Sequence, residues 1–447
     1  MRKNAVFWWE EAPLAALERK PVPPTADVVI VGAGYTGLGA AIRLARAGRC
    51  VQVFDKQHPG EGASTRNGGI TSGNLRPGYA ELVRRFGETR ASAILTEAKA
   101  AREDLYRFIA EEKIECDFAI SGRFSGASAH RDYERLAREA EMLNRTLGIE
   151  AYAVPRSEQL AFLGTDFYHG GAVRMDVGGL HPAKFHAGLL HLALAAGATV
   201  HGQTPVTGIR QEGNGYEVAT ARGVVRARDV IVAVNGYTDA ADRWLRRRLV
   251  PVRSRIIATA PHSPNLMGEL MPRRMMCSET RKLHYYYRPS PDGARILFGG
   301  RDGTIAGDPD WPTENLKRAL VDIFPVLDRV EITHSWFGHV AMNRDMVPRI
   351  FSRNGVRYAA GYCGSGVVWA RWAGEKVANQ VLGDPTGESA LDFRPPRAVP
   401  LFAGKAWFMP AVFGWLTLQD RLARRDARPA RGGASVGASG REATPGE

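Results

Sequence analysis

The chain has 447 residues, 44% hydrophobic and 24% charged, the balance of a soluble globular protein, and at roughly 150 residues per domain it predicts two or three domains. Its 60 basic against 47 acidic side chains leave +13. Part of that excess is local, since six arginines (421, 424, 425, 428, 431 and 441) against three acids follow Asp420, which reads as a solvated basic tail and not as a nucleic-acid surface. Four widely spaced cysteines (Cys50, Cys116, Cys277, Cys363) without Cys-x-x-Cys or paired histidines argue against a disulfide framework and a zinc site, so no metal ligand is assigned. Met1 to Lys20 lacks a continuous apolar core and no run reaches the roughly 18 apolar residues of a membrane span, so a cytoplasmic protein is expected.

Residues 1–26 form an arm that ends in Pro21-Val22-Pro23-Pro24, a stiff approach to the first strand. Asp27 to Val31 is a β-branched run that stops at Gly32-Ala33-Gly34-Tyr35-Thr36-Gly37, after which Leu38 to Ala47 has helix-forming composition. In such a strand, turn and helix, the first glycine makes the turn, the second lets a pyrophosphate approach backbone and the third seats the helix on the strand. The helix N-terminus then offers unpaired N–H groups and a positive dipole end to phosphate. Cys50 to Phe54 is the second parallel strand, with Asp55 at its carboxyl end placed to accept ribose hydroxyls. Together these parts predict a bound dinucleotide.

The glycine-rich, hydroxyl-rich loop from Gly60 to Gly73 exposes backbone N–H groups to whatever packs on it. Tyr79 to Glu112 and His130 to Leu147 have helical periodicity, and Ala183 to Ala196 is a further helix. Thr204 to Ile209, Tyr216 to Thr220 and Gly223 to Arg228 read as a meander, and Asp229 to Val234 as another buried parallel strand. A parallel strand returning so late makes the nucleotide domain discontinuous. Pro251 to Phe298 is rich in aromatic and strand-like runs, which predicts an antiparallel sheet in a second domain. Leu316 to Phe324 is a short helix and Val330 to Phe337 a strand. Arg357 to Ala360 leads into Gly361-Tyr362-Cys363-Gly364-Ser365-Gly366 and a helix from Val367 to Leu382. Trp407 to Leu418 is apolar; packing against the body is preferred to a peripheral membrane helix because Pro410 and Gly414 should interrupt it.

Two glycine turns that open helices cannot hold one pyrophosphate. A flavin enzyme uses the first for pyrophosphate and can aim the second at the isoalloxazine, where a helix N-terminus stabilises the charge gained on reduction. FAD is therefore the expected coenzyme, and electrons should enter from the substrate.

The ordered series Val29 to Gly37, Gly62 to Gly69, Gly178 to Pro182, Ile231 to Tyr237, Phe298 to Arg301, Trp336 to Gly338, Asp345 to Pro348 and Gly361 to Gly366 resembles the D-amino-acid oxidase-like FAD-dependent oxidoreductases, most of all their γ-glutamylputrescine oxidoreductase branch. The resemblance implies an α/β fold: a discontinuous Rossmann-type FAD-binding domain (27–84, 170–248 and 336–388) with an inserted α+β substrate domain built on an antiparallel sheet (85–169 and 249–335). A C-terminal extension (389–426) and a disordered tail (427–447) follow. It also implies oxidation of an amine C–N bond by hydride transfer to flavin, with the imine hydrolysing to an aldehyde or ketone, and oxygen or a quinone as electron acceptor. Alternatives are a D-amino-acid, glycine or sarcosine type of oxidase, and a non-catalytic flavin redox protein.

Residue by residue, the resemblance implies that Gly32, Gly34 and Gly37 hold pyrophosphate, that Asp55 with Lys56 serves the adenosine end, and that Val206 gives backbone to adenine. Ser64, Thr65, Arg66, Asn67, Gly68 and Gly69 would line the flavin, with Gly364, Ser365, Gly366 and Val367 at its pyrimidine end. A fixed cation such as Arg66 beside the ring would stabilise its reduced form. Tyr285, Tyr287, Arg288 and Trp336 are expected as the substrate wall, which with Arg66 completes the catalytic set. Trp336-Phe337-Gly338-His339-Val340 lacks the carboxylate-clamping arginine of glycine oxidase, leaving Arg288 or Arg301 to do that work in the amino-acid reading. Ser365 replaces a histidine common in relatives. Arg66 stands where some relatives link flavin covalently, so non-covalent FAD is expected.

Overall fold

The computed structural model describes residues 2–303 and 307–425, so the tail assigned to 427–447 lies outside the described residues. Two eight-stranded sheets carry the fold. In the first, Thr25–Val31 lies between Val51–Phe54 and Gly223–Val232, parallel to both, while Thr199–His201 and Val356–Ala360 extend it in parallel on either side. Val28, Val29 and Ile30 are fully buried because both faces of this sheet are covered, which is why the run shows no polar alternation. Helices Tyr35–Arg46, Glu88–Glu111, Pro182–Ala195 and Gly366–Leu382 share one hydrophobic core on one face.

The expected meander pairs Val206–Glu212, Gly215–Thr220 and Gly223–Val232 antiparallel. Its last strand is continuous with the buried parallel strand assigned separately to Asp229–Val234; one ten-residue strand serves both, alternating exposure in its first half and fully covered in its second.

The second sheet runs in the order Ile332–Met342, Val250–Thr259, Ile296–Gly303, Tyr286–Pro289, Met276–Glu279, Arg123–Gly126, Gly171–Arg174, Ala151–Val154. It is antiparallel except where Met276–Glu279 meets Arg123–Gly126 in parallel. Those strands come from chain segments far apart in sequence, so no hairpin constrains their direction. Gly171–Arg174 and Ile332–Met342 belong to this sheet, so domain boundaries drawn at 170 and 336 would cut through it. The cause is that strand composition reveals burial but not which sheet a strand joins.

Two terminal elements depart from expectation. The arm is not merely an approach: Val6, Phe7 and Trp8 are buried against the second sheet, Trp8 Nε1 donates to the Asn67 carbonyl at 2.8 Å, and Trp9 Nε1 donates to Thr65 Oγ1 at 2.9 Å. Met409–Arg425 is an uninterrupted helix. Pro410 falls in its first turn, where a missing N–H costs nothing, and Gly414 costs only about 1 kcal/mol in a helix interior.

Candidate active site

The two glycine turns are held side by side by the helices they open. A Cβ on Gly374 would lie 2.1 Å from the Thr36 carbonyl and one on Gly39 3.0 Å from that of Arg371, so Tyr35–Arg46 and Gly366–Leu382 cross at a contact only glycine permits. Thr36 Oγ1 and Tyr362 Oη are hydrogen-bonded at 2.7 Å, joining the turns directly. Neither helix is capped by the side chain of its own N-cap residue; the Tyr35 N–H donates to Ser64 Oγ at 3.1 Å, and the remaining first-turn N–H groups point toward where a ligand would lie.

The first turn has the form an anion cradle requires. Gly32 has φ of +105°, and a Cβ on Gly37 would lie 1.8 Å from the Gly32 carbonyl. A Cβ on Gly34 would stand 2.7 Å from Ser64 Oγ, filling the approach to backbone. Asp55 accepts from the backbone N–H of Ala33 at 2.8 Å and of Gln57 at 2.9 Å, and burial raises its pKa. Lys56 is paired with Asp239 at 2.8 Å. His186 donates through Nε2 to the Ala33 carbonyl at 2.8 Å from below.

A cavity of about 200 Å³ runs from this turn past Asp55, Lys56, Val206 and Tyr237 to Gly364, Gly366 and Val367. A second, of about 430 Å³, lies between the Arg66–Gly68 segment and the second sheet. Both are walled by Ala63, Asn67, His339, Val340, Gly364 and Val367, which mark where a ring would separate coenzyme from substrate. The cradle, the uncapped helices and this junction fit an FAD held along the first cavity with its ring facing the second.

Of the residues expected to line the flavin, Ser64, Asn67, Gly364, Gly366 and Val367 line the coenzyme cavity, and Arg66, Asn67, Gly68, Gly364, Ser365 and Val367 the substrate cavity. Thr65 and Gly69 line neither. Thr65 is buried and donates to the Gly60 carbonyl at 2.8 Å, while Gly69, with φ of +71°, packs against the Leu180 carbonyl. Arg66 donates through Nε to the Glu61 carbonyl at 2.7 Å and through Nη1 to that of Phe337 at 3.2 Å. Ser365 donates its hydroxyl to the Asn74 carbonyl, tying the second turn to the glycine-rich loop.

The expected substrate wall is placed differently. Tyr287 is fully buried, bonded to Tyr168 Oη at 3.1 Å, and Tyr285 packs on Phe298 beneath the sheet. Trp336 is buried and donates to the Arg66 carbonyl at 2.9 Å, so it positions the loop. Arg288 is buried as well, donating through Nη1 to the Leu180 carbonyl at 2.9 Å. None of the four lines either cavity. With a two-residue strand period, one step in register separates the faces, and Tyr286, between the two chosen tyrosines, is the one that lines the cavity. Its Oη is bonded to Ser254 Oγ at 3.0 Å, and burial raises its pKa, keeping it protonated.

The cavity residues that sequence reasoning missed are Arg76, Arg123, Ser254, His284 and His339; Arg301, weighed only as a carboxylate clamp, joins them. Arg76 donates through Nε to the Cys363 carbonyl and through Nη1 to His284 Nδ1, both at 3.1 Å. Its side chain is exposed to the cavity yet walled by protein, and that enclosure, with the neighbouring Arg301, lowers its pKa. His284 is pushed well below its ordinary pKa by burial, Arg76 and Arg301, so it is neutral. Arg76 sits in a Gly- and Pro-rich run, the one signal that could have drawn attention to it.

Removing Arg288 separates positioning from substrate binding. Arg288→Met leaves the buried Leu180 carbonyl unbonded and should cost about 2 kcal/mol of stability, read as a lower thermal midpoint, with KM unchanged once FAD is saturating. A large KM increase without destabilisation would make it a substrate ligand instead.

Acid should loosen the coenzyme turn. Burial pushes His181, His186 and His201 down to about 4, below the roughly 6.5 of an unfolded histidine. The unfolded chain then binds the extra protons, so this stability is present above pH 6.5 and is lost as pH falls toward 4; for His186 alone it amounts to about 3 kcal/mol. His186→Gln keeps an N–H for Ala33 without a titrating ring and should flatten part of the acid loss of flavin fluorescence quenching. An unchanged profile would remove His186 from the account.

A parallel sheet with a phosphate turn, a coenzyme cavity and a substrate cavity meeting at one wall define a dinucleotide-dependent oxidoreductase. The family model for FAD-dependent oxidoreductases (DAO) matches residues 27–380, and the chain belongs to that family and uses FAD. It is 33% identical over 432 residues to a probable oxidoreductase OrdL of Rhizobium meliloti, covering 93% of this chain and 98% of that one. It is 30% identical over 404 residues to γ-glutamylputrescine oxidoreductase of Escherichia coli, covering 89% and 93%. Glycine oxidase from Geobacillus kaustophilus superposes with a TM-score of 0.71 at 20% identity, covering 85% of this chain and 99% of that one.

Proposed function

We propose that the protein oxidises the C–N bond of a secondary or primary amine that also carries an anionic group, of the γ-glutamylputrescine kind, giving an imine that hydrolyses to an aldehyde. The observation that carries this reading is the charge of the substrate cavity. Arg102 and Arg174 on its wall share Asp176, and Arg281 is paired with Glu279. Arg76, Arg123 and Arg301 form no salt bridge among the described residues. Arg301 lies against Gly364 at the coenzyme junction, where a Cβ would be 3.0 Å from its Nη2. Such a wall repels a free polyamine and attracts one whose charge is offset by a carboxylate. The relationship to the Escherichia coli γ-glutamylputrescine enzyme supports the same class.

Bound FAD supplies the two-electron acceptor for the C–H bond next to nitrogen. The chain's own residues do the rest. Tyr286 and Ser254 offer hydroxyls at the wall, the Arg76 and Arg301 guanidinium groups orient the anionic end, and the second sheet excludes bulk water. His284 and His339, both held neutral by burial and neighbouring arginines, add no charge to the wall and leave imidazole nitrogens to hydrogen-bond an amine that arrives in its neutral form. Arg66, fixed by two carbonyls, holds a positive charge beside the junction.

A second reading, oxidation of an amino acid, gains support from Arg301 in place of the absent clamp; Arg288 is committed to the Leu180 carbonyl and cannot serve. Anaerobic mixing with a panel of amines separates the readings. Bleaching of the flavin band by γ-glutamylputrescine supports the first, and bleaching by D-amino acids, glycine or sarcosine alone supports the second. No bleaching by any of them would sink both and leave a non-catalytic flavin protein.

A further inference from the structure

The helix Met409–Arg425 is apolar on two opposite sides, and among the described residues only one of them is packed on the body. Met409 and Phe413 pack with Phe402 and Ala406 on Val250 and Val252 of the second sheet. Asp420, on the same side, accepts from the backbone N–H groups of Lys282 at 2.8 Å and Leu283 at 3.1 Å, pinning the helix to the segment that carries His284. Turned away from the body, at i, i+4, i+7 and i+11, stand Ala411, Trp415, Leu418 and Leu422, the last three 60%, 47% and 50% exposed. Trp407, also 60% exposed, and Leu401, 82% exposed, extend the patch at the helix start. A contiguous stripe of this kind on an otherwise well-buried protein marks a surface with a partner.

We propose that this face binds peripherally to an anionic lipid surface. Three features select that occupant. Tryptophan at the rim of an apolar stripe is the residue favoured where hydrocarbon meets headgroups. The flank is basic: Arg421 is exposed beside the stripe, and the sequence that follows carries Arg424, Arg425, Arg428 and Arg431 against one acid, Asp426. The area is also too small for a second copy of the chain, since these side chains offer a few hundred Å² where a stable interface takes about 800 Å² from each partner. No helix among the described residues is long and apolar enough to cross a membrane, so the contact lies in the plane of the surface.

The test is flotation of the holoprotein with vesicles of phosphatidylcholine alone or mixed with phosphatidylglycerol, at low and high salt. Binding is expected only to the mixed vesicles, weakened by salt. Trp415→Ser combined with Leu418→Ser should lower that binding about tenfold or more while leaving thermal midpoint, flavin spectrum and turnover in solution unchanged, because both side chains face outward. Arg421→Glu should weaken it by a smaller factor. The proposal is overturned if the unaltered protein ignores mixed vesicles, or if the double variant binds as well as its parent, which would place binding in the basic tail alone. It is equally overturned if the unaltered protein is a dimer that the double variant dissociates, with no lipid binding by either.

Discussion

Gly37→Ala is expected to yield a protein that cannot hold FAD: the purified variant should be colourless, with a coenzyme affinity at least about 100-fold weaker, from a cost above roughly 3 kcal/mol. The added methyl would lie 1.8 Å from the Gly32 carbonyl, and a backbone atom cannot swing aside as a side chain can. Either the helix lifts from the strand or the turn opens, and the helix is itself pinned by the Gly374 contact with Thr36. Both N-termini lose their convergence in consequence. Flavin absorbance per protein and reconstitution with excess FAD measure the effect. A yellow variant with its parent's thermal midpoint would show that the close seat of the helix does not set coenzyme binding.

Arg301→Met should leave the flavin in place and raise KM for an anionic amine about 10- to 100-fold, with kcat little changed, since a charge-assisted hydrogen bond contributes about 1.5–3 kcal/mol. Arg301 has no partner among the described residues that would be left unpaired by its removal, so stability should hold or improve as the repulsion it exerts on Arg76 is lifted. An analogue with the carboxylate converted to an amide supplies the control. On that analogue parent and variant should perform alike. If the variant loses as much on the amide as on the acid, Arg301 shapes the cavity without reading charge; if it loses nothing on either, the anionic group lies elsewhere, with Arg76 and Arg123 the remaining guanidinium groups without a salt bridge among the described residues.

What could be read in the chain and what could not follow from the range of the forces involved. The phosphate turn was legible because its requirements are local: a positive φ at Gly32, a backbone approach at Gly34 and a helix seat at Gly37 each forbid a side chain at one named position. The Ser365 hydroxyl, by contrast, finds Asn74 across the fold, and nothing near it in sequence announces that partner. Tyr286 was passed over for its two neighbours because three tyrosines in a row carry no alternation to reveal the inward face. The arm was underestimated for a similar reason: nothing near Trp8 and Trp9 in sequence announces Asn67 and Thr65, which receive their N–H groups.

By itself the sequence determined the parallel sheet, the two helix-opening turns, the coenzyme and the family, since these rest on residue types whose conformational limits act within a few positions. Only the tertiary structure decided which side chains line the substrate cavity, which arginines meet an acid among the described residues, and that the last helix keeps an apolar side about half exposed. Those are matters of contact between segments hundreds of residues apart, where burial and charge pairing depend on who arrives opposite.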